Sequence, residues 1–121
     1  MEEIEIRIDE IPSGIQVLHL KGPLTLKTVF DFQRVARHEK PMGGRIIALS
    51  GVPYMDSAGL GALLEAWASA QRRSLKFALA DVPARVLTVL EVARVDTIVP
   101  HFASVEAARL HVAQDVQGAT A

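Results

Sequence analysis

One short stretch of the chain carries residue types that could do chemistry. It reads Met55-Asp56-Ser57-Ala58-Gly59-Leu60-Gly61 and lies between an apolar run at 46–49 and an apolar helical stripe. A serine hydroxyl next to an aspartate supports three readings. In the first, Asp56 or Ser57 caps a helix, its side-chain oxygen accepting an orphan backbone amide for about 1 kcal/mol. Capping leaves Gly59 and Gly61 unexplained, since each costs roughly 1 kcal/mol relative to alanine inside a helix. Close packing of the helix on a sheet would account for them, as would another protein's backbone approaching the serine. In the second reading Ser57 is a hydrolase nucleophile on a strand–turn–helix elbow, with Asp81 or Asp96 and His101 or His111 downstream. Met55 stands where the elbow needs its first glycine, no glycine-rich oxyanion segment is present, and 121 residues fall short of such an enzyme. The chain is therefore not expected to be an enzyme. In the third, Ser57 accepts a phosphoryl group at a helix amino terminus, where the positive end of the macrodipole holds a phosphate of about −1.5 to −2 charge. Modification would leave the local structure intact and put charge on a small apolar ridge, making binding switchable.

The rest of the composition narrows the chemistry further. Leu64 replaces the third glycine of a dinucleotide fingerprint after Gly59 and Gly61, and no Gly-Lys-Ser/Thr follows. With Cys 0 the chain has no disulfide, thiolate metal site or cysteine nucleophile. His19, His38, His101 and His111 lack the spacing of two ligands on one helical turn, so no metal and no cofactor are expected. Thirteen Lys+Arg against 14 Asp+Glu give a formal charge of −1, without the cationic excess that a nucleic-acid backbone demands. Glu2, Glu3 and Glu5 stand where a signal peptide would be basic, and the longest apolar stretch, 58–64, stops at Glu65. A cytoplasmic protein without membrane insertion is expected.

The elements that must position Ser57 follow from periodicity. Ile4, Ile6 and Ile8 alternate with charged residues as a half-wet strand; Pro12-Ser13-Gly14 turns the chain; Ile15, Val17, Leu18 and Leu20 form a second strand, giving a hairpin. A first helix is predicted from Thr25 as N-cap, with Leu26, Val29, Phe30 and Ala36 on its stripe. Phe32 and Val35 fall off that stripe, through a wider core face or an interface, and Leu87 and Val92 pose the same question later. Residues 46–49 read as a central strand, and Leu60, Leu63, Leu64 and Trp67 as the stripe of a second helix. A strand at 75–79, a third helix opened by Asp81 and Pro83, a short strand at 97–99 and a helix at 105–112 complete the order. This predicts one α/β domain over 1–113, with a mixed, mostly parallel sheet of about five strands, an amino-terminal antiparallel hairpin and about four helices. A flexible tail is expected at 114–121.

The run Ile46-Ile47-Ala48-Leu49-Ser50-Gly51-Val52-Pro53-Tyr54-Met55-Asp56-Ser57-Ala58-Gly59-Leu60-Gly61 resembles the signature of STAS domains, the bacterial anti-sigma factor antagonist family. Resemblance extends through Leu20-Lys21-Gly22-Pro23-Leu24-Thr25, the strand at 75–80 and the helix at 83–95. It implies a partner-binding surface of Thr25, Asp56, Ser57, Ala58, Gly59, Leu60 and Gly61, with Ser57 as phosphoacceptor. The implied partners are an anti-sigma factor that is also a serine kinase, and a serine phosphatase; self-association as a homodimer is left open. The alternative implied is an interaction module without phosphorylation, as a signalling scaffold or a lipid-transport accessory subunit. Two departures stand out: Thr25 where many members carry aspartate, and Arg94 where glycine is frequent.

Overall fold

The structure, a computed structural model, describes residues 2–120, with side chains described to 113. Alternating apolar and polar residues over Glu5–Ile11 make β1, which pairs antiparallel with β2 (Ile15–Lys21) from Glu5 opposite Lys21 to Ile11 opposite Ile15. Between them Pro12–Gly14 forms a single 3-10 turn in which Ser13 and Gly14 take φ of 78° and 75°. From β2 onward every neighbour is parallel: β3 (Gly44–Gly51), β4 (Phe77–Ala80) and β5 (His101–Phe102). The sheet order is the chain order, β1-β2-β3-β4-β5.

Strands added always in the same direction through right-handed crossovers put their connecting helices on one face. There α1 (Val29–His38), α2 (Ser57–Arg72) and α3 (Ala84–Val92) bury Phe32, Leu63, Val86 and Leu90 against Leu18, Leu20, Ile47 and Leu79. The opposite face is covered by α4 (Val105–Thr120), whose Ala108 and Val112 lie on Val17, Ile46, Ala48 and Ala78. β3 is thus covered on both sides, which is why 46–49 reads as an unbroken apolar run. The five-stranded α/β sheet with its hairpin and four helices is the predicted architecture.

Three predictions are corrected. The first helix begins at Val29, not at Thr25, and that moves its phase: Phe32 is fully buried, whereas Leu26 and Phe30 are each 63% exposed. Phe32 is therefore core and not an interface residue, and Val35 packs partly against the same core. The strand placed at 97–99 lies at His101–Phe102, because Leu79 N donates to Pro100 O (2.9 Å) and Asp81 N to Phe102 O (3.0 Å), while 96–98 turns. On α2 the buried stripe is Ala62, Leu63, Ala66 and Ala70, with Leu60, Leu64 and Trp67 partly covered at its flanks. Arg94 ends α3 at φ 60°, the left-handed conformation that favours glycine, with Val95 N donating to Leu90 O at 3.0 Å. The tail predicted at 114–121 lies outside the residues whose side chains are described.

Candidate functional site

β2 and β3 end together, and the chain beyond them prolongs their parallel pairing. Gly22 N donates to Gly51 O (2.9 Å), Leu24 N to Tyr54 O (3.2 Å) and Asp56 N to Leu24 O (3.3 Å), with a bridge between Leu24 and Met55. Both bridge residues are buried, so the loop entering α1 and the loop entering α2 share a floor. Asp56 fastens the two. Its Oδ1 accepts from Gly59 N (3.0 Å), making it the N-cap of α2, and its Oδ2 accepts from Leu26 N (3.1 Å) on the other loop. Burial pushes the Asp56 carboxyl up, but the amides of Gly59 and Leu26 outweigh this and hold it below the usual carboxylate range.

Because Asp56 takes the cap, Ser57 is the first residue of α2. It is exposed, and its hydroxyl carries no hydrogen bond among the described residues. No base is therefore joined to it: His101 lies in β5, and the His111 ring sits 4.9 Å from that of Phe102. Gly61, one turn on and on the same side of the helix, is exposed too, while Ala58 and Leu60 are half-buried. The two glycines have different causes. A Cβ on Gly59 would lie 2.1 Å from Leu24 O and 2.7 Å from Met55 Cγ, whereas one on Gly61 would meet nothing within 4 Å. Gly59 is required from inside; nothing inside requires Gly61.

Thr25 is 5% exposed and supports the surface from beneath. Its hydroxyl accepts from Lys27 N (3.2 Å) and donates to Glu2 Oε1 (2.6 Å), and the Thr28 hydroxyl donates to Pro23 O (2.7 Å). Glu2 Oε2 accepts from the Tyr54 hydroxyl (2.5 Å), and the Arg85 guanidinium stands 5.8 Å from the Tyr54 ring centre. The Thr25 and Tyr54 hydroxyls hold the Glu2 carboxyl low, and Glu2 in turn raises Tyr54. Sequence does not single out Glu2 and Tyr54 for the site, and it places Leu26 and Phe30 on the core stripe of the first helix; with that helix starting at Val29 both are exposed instead. Leu26 adds exposed apolar surface on the loop that Asp56 ties to α2, and Phe30 adds it on the first turn of α1.

Of the seven predicted site residues the structure brings six onto one stretch at the start of α2 and sets Thr25 on the loop bonded to it. Thr25 and Gly59 are buried; Asp56, Ser57 and Gly61 are exposed. Among the described residues no three His, Asp or Glu side chains are placed to hold a metal, and no helix is long and apolar enough to cross a membrane.

The family model described as STAS domain matches residues 7–108. No curated protein matches the chain in sequence. Among solved structures, a putative anti-sigma factor antagonist from Thermotoga maritima superposes with a TM-score of 0.80 at 21% identity, over 88% of this chain and 93% of that one. An anti-sigma factor antagonist from Mycobacterium paratuberculosis gives 0.81 at 17% identity, over 90% and 93%. A Moorella thermoacetica RsbS with a serine replaced by glutamate gives 0.79 at 16% identity, over 93% and 98%. At these identities the likeness is one of fold.

Proposed function

The chain belongs to the STAS domain family, and from that premise we propose that it is an anti-sigma factor antagonist, binding a kinase-type anti-sigma factor and controlled by reversible phosphorylation of Ser57. The observation that carries this reading is the Ser57 hydroxyl: exposed, unbonded among the described residues, and at the amino end of a helix whose cap is already supplied by Asp56. A phosphate there has no structural bond to break. It adds about two negative charges beside the exposed Asp56 carboxylate, on a ridge that includes Gly61 and has the exposed Leu26 tied to it through Asp56. Unmodified, this ridge offers a partner small and apolar contacts; modified, it asks the partner to desolvate a dianion.

The kinase brings nucleotide and magnesium, and a serine phosphatase in the same cytoplasm restores the hydroxyl. The protein itself is substrate and ligand, with no turnover of its own. The experiment is to incubate it with the anti-sigma kinase and ATP, map the modified residue by mass spectrometry, and measure binding of both forms. A single phosphate on Ser57 with weakened binding is expected. Absent phosphorylation, or modification elsewhere, overturns the switch and leaves a non-phosphorylated interaction module.

A further inference from the structure

Arg45, near the start of β3, is 6% exposed, yet its guanidinium meets only neutral acceptors. Nε and Nη2 donate to Gln16 Oε1 at 3.0 and 2.8 Å, Nη1 to Ala36 O and Nη2 to Glu39 O, each at 3.0 Å. These bonds occupy four of the five guanidinium N–H donors, leaving one hydrogen on Nη1. The Glu39 carboxylate, which offsets part of the charge, accepts from Gln16 Nε2 at 3.0 Å. Burial lowers the Arg45 pKa to about 10, and the neighbouring Arg73 presses it in the same direction. Arg45 is still cationic at neutral pH.

Arg45 also lines a cavity of about 130 Å³ between α1 and α2, where the α2 residues run from Ala62 to Ala70. Ala36, Ala66 and Leu75 contribute apolar walls, with Phe32 fully buried behind them, and Arg37, Lys40 and Arg73 are exposed cations in the same lining. Among the described residues none of these three forms an ion pair, and Glu65, the sole acid of the lining, is held by Arg72 at 3.0 Å. Capping the last carbonyls of α1 accounts for the Arg45 bonds to Ala36 and Glu39. It does not account for three further cations around an apolar chamber.

We propose that this cavity binds a small monoanion with a compact apolar body, of the size and chemistry of benzoate. At about 130 Å³ the cavity is somewhat smaller than the roughly 150 Å³ that encloses a benzene ring, so its open mouth has to accommodate part of the ligand. The carboxylate would take the free Nη1 hydrogen of Arg45 and the charge of Arg73, where partial burial strengthens a charge-assisted bond. The ring would lie against Ala36, Ala66 and Leu75. Ala66, the α2 residue the ring would meet, is nine residues and about two and a half helical turns beyond Ser57, and the lining comes nearest to it at Ala62, five residues on.

The test is titration of the isotopically labelled protein with benzoate, followed by amide chemical shifts. Benzyl alcohol serves as the neutral isostere and inorganic phosphate as the anion without an apolar body. Saturable shifts at Ala36, Ala66 and Arg73 are expected, with affinity reduced about tenfold by benzyl alcohol or by Arg73→Gln, an exposed position that leaves the fold intact. Ser69→Leu, half-buried at the lining, should block binding. No saturable shift by about 20 mM benzoate overturns the proposal. So do equal shifts with phosphate alone, and undiminished binding in both variants.

Discussion

Gly59 and Gly61 stand two residues apart on α2 and should respond oppositely to the same added methyl. At Gly61 the new Cβ meets nothing within 4 Å, so only helix propensity changes, and Gly61→Ala gains about 0.8–1 kcal/mol. For a chain of this size that raises Tm by about 3–6 °C. At Gly59 the Cβ would sit 2.1 Å from the Leu24 carbonyl and 2.7 Å from Met55 Cγ. The backbone on one side must move, and Asp56 is bonded to both sides, so overpacking costs about 1–3 kcal/mol and outweighs the propensity gain. Thermal unfolding followed by circular dichroism reads both. Calorimetry against the anti-sigma factor supplies the functional half: if Gly61 belongs to the proposed partner surface, the more stable Gly61→Ala variant should bind about tenfold more weakly, its methyl holding the partner's backbone off. Destabilisation by Gly61→Ala, or stabilisation by Gly59→Ala, would refute the packing argument. Unchanged affinity in Gly61→Ala would remove that glycine from the partner surface.

Four further outcomes are expected. Because Asp56 holds the cap, Ser57→Ala should change stability by less than about 0.5 kcal/mol while keeping partner binding, and Ser57→Asp should weaken binding with the fold intact; calorimetry and melting separate the two effects. Asp56→Ala should cost about 1 kcal/mol at pH 7, screened somewhat by exposure. Since the folded pKa lies below the unfolded value, the carboxylate's contribution is complete above the unfolded pKa and is lost as pH falls through the folded one, so the stability difference between wild type and Asp56→Asn in denaturant titrations should be constant near neutral pH and shrink with acid once pH drops below the ordinary aspartate range. Arg94→Gly relieves a left-handed residue at φ 60° and should raise stability by about 0.5–1 kcal/mol in the same assay. Phe32→Ala empties a fully buried site and should cost about 3–5 kcal/mol, enough to halve or exhaust an ordinary domain's stability on a urea curve.

The elements that sequence made legible are those whose burial leaves a local trace. Residues 46–49 are apolar without interruption because helices cover both faces of β3, and Ile4 and Ile6 alternate with charge because that face of the chain packs partly against the core while the other is wet, a cover that no longer reaches Ile8. The phase of α1 was not legible, since Phe30 and Phe32 are equally apolar and only the starting point of the helix decides which turns inward. That start is set at Val29 by a turn in which Val29 N donates to Thr25 O, with the Thr28 hydroxyl bonded to Pro23 O. Likewise Asp56 and Ser57 were equivalent as caps until Leu26, thirty residues away in sequence, supplied the second bond that favours the aspartate. Glu2 reaches partners 23 and 52 residues away, a separation at which no local pattern exists. β5 is two residues long and owes its place to the backbone bonds at Leu79 and Asp81.

The identity of strand order with chain order has a consequence for how the molecule comes into being. Every strand after the first finds its pairing edge in the strand made just before it, so no edge waits for a distant segment, and loop-closure entropy is met in small instalments. A chain emerging from the ribosome can extend the sheet strand by strand, each crossover helix settling on the same side as it appears. The other side is different: Val17, Ile46, Ala48 and Ala78 stay uncovered until α4 arrives after the fifth strand. A nascent chain halted before Val105 would hold a paired sheet with one greasy face open, the species for chaperones to recognise.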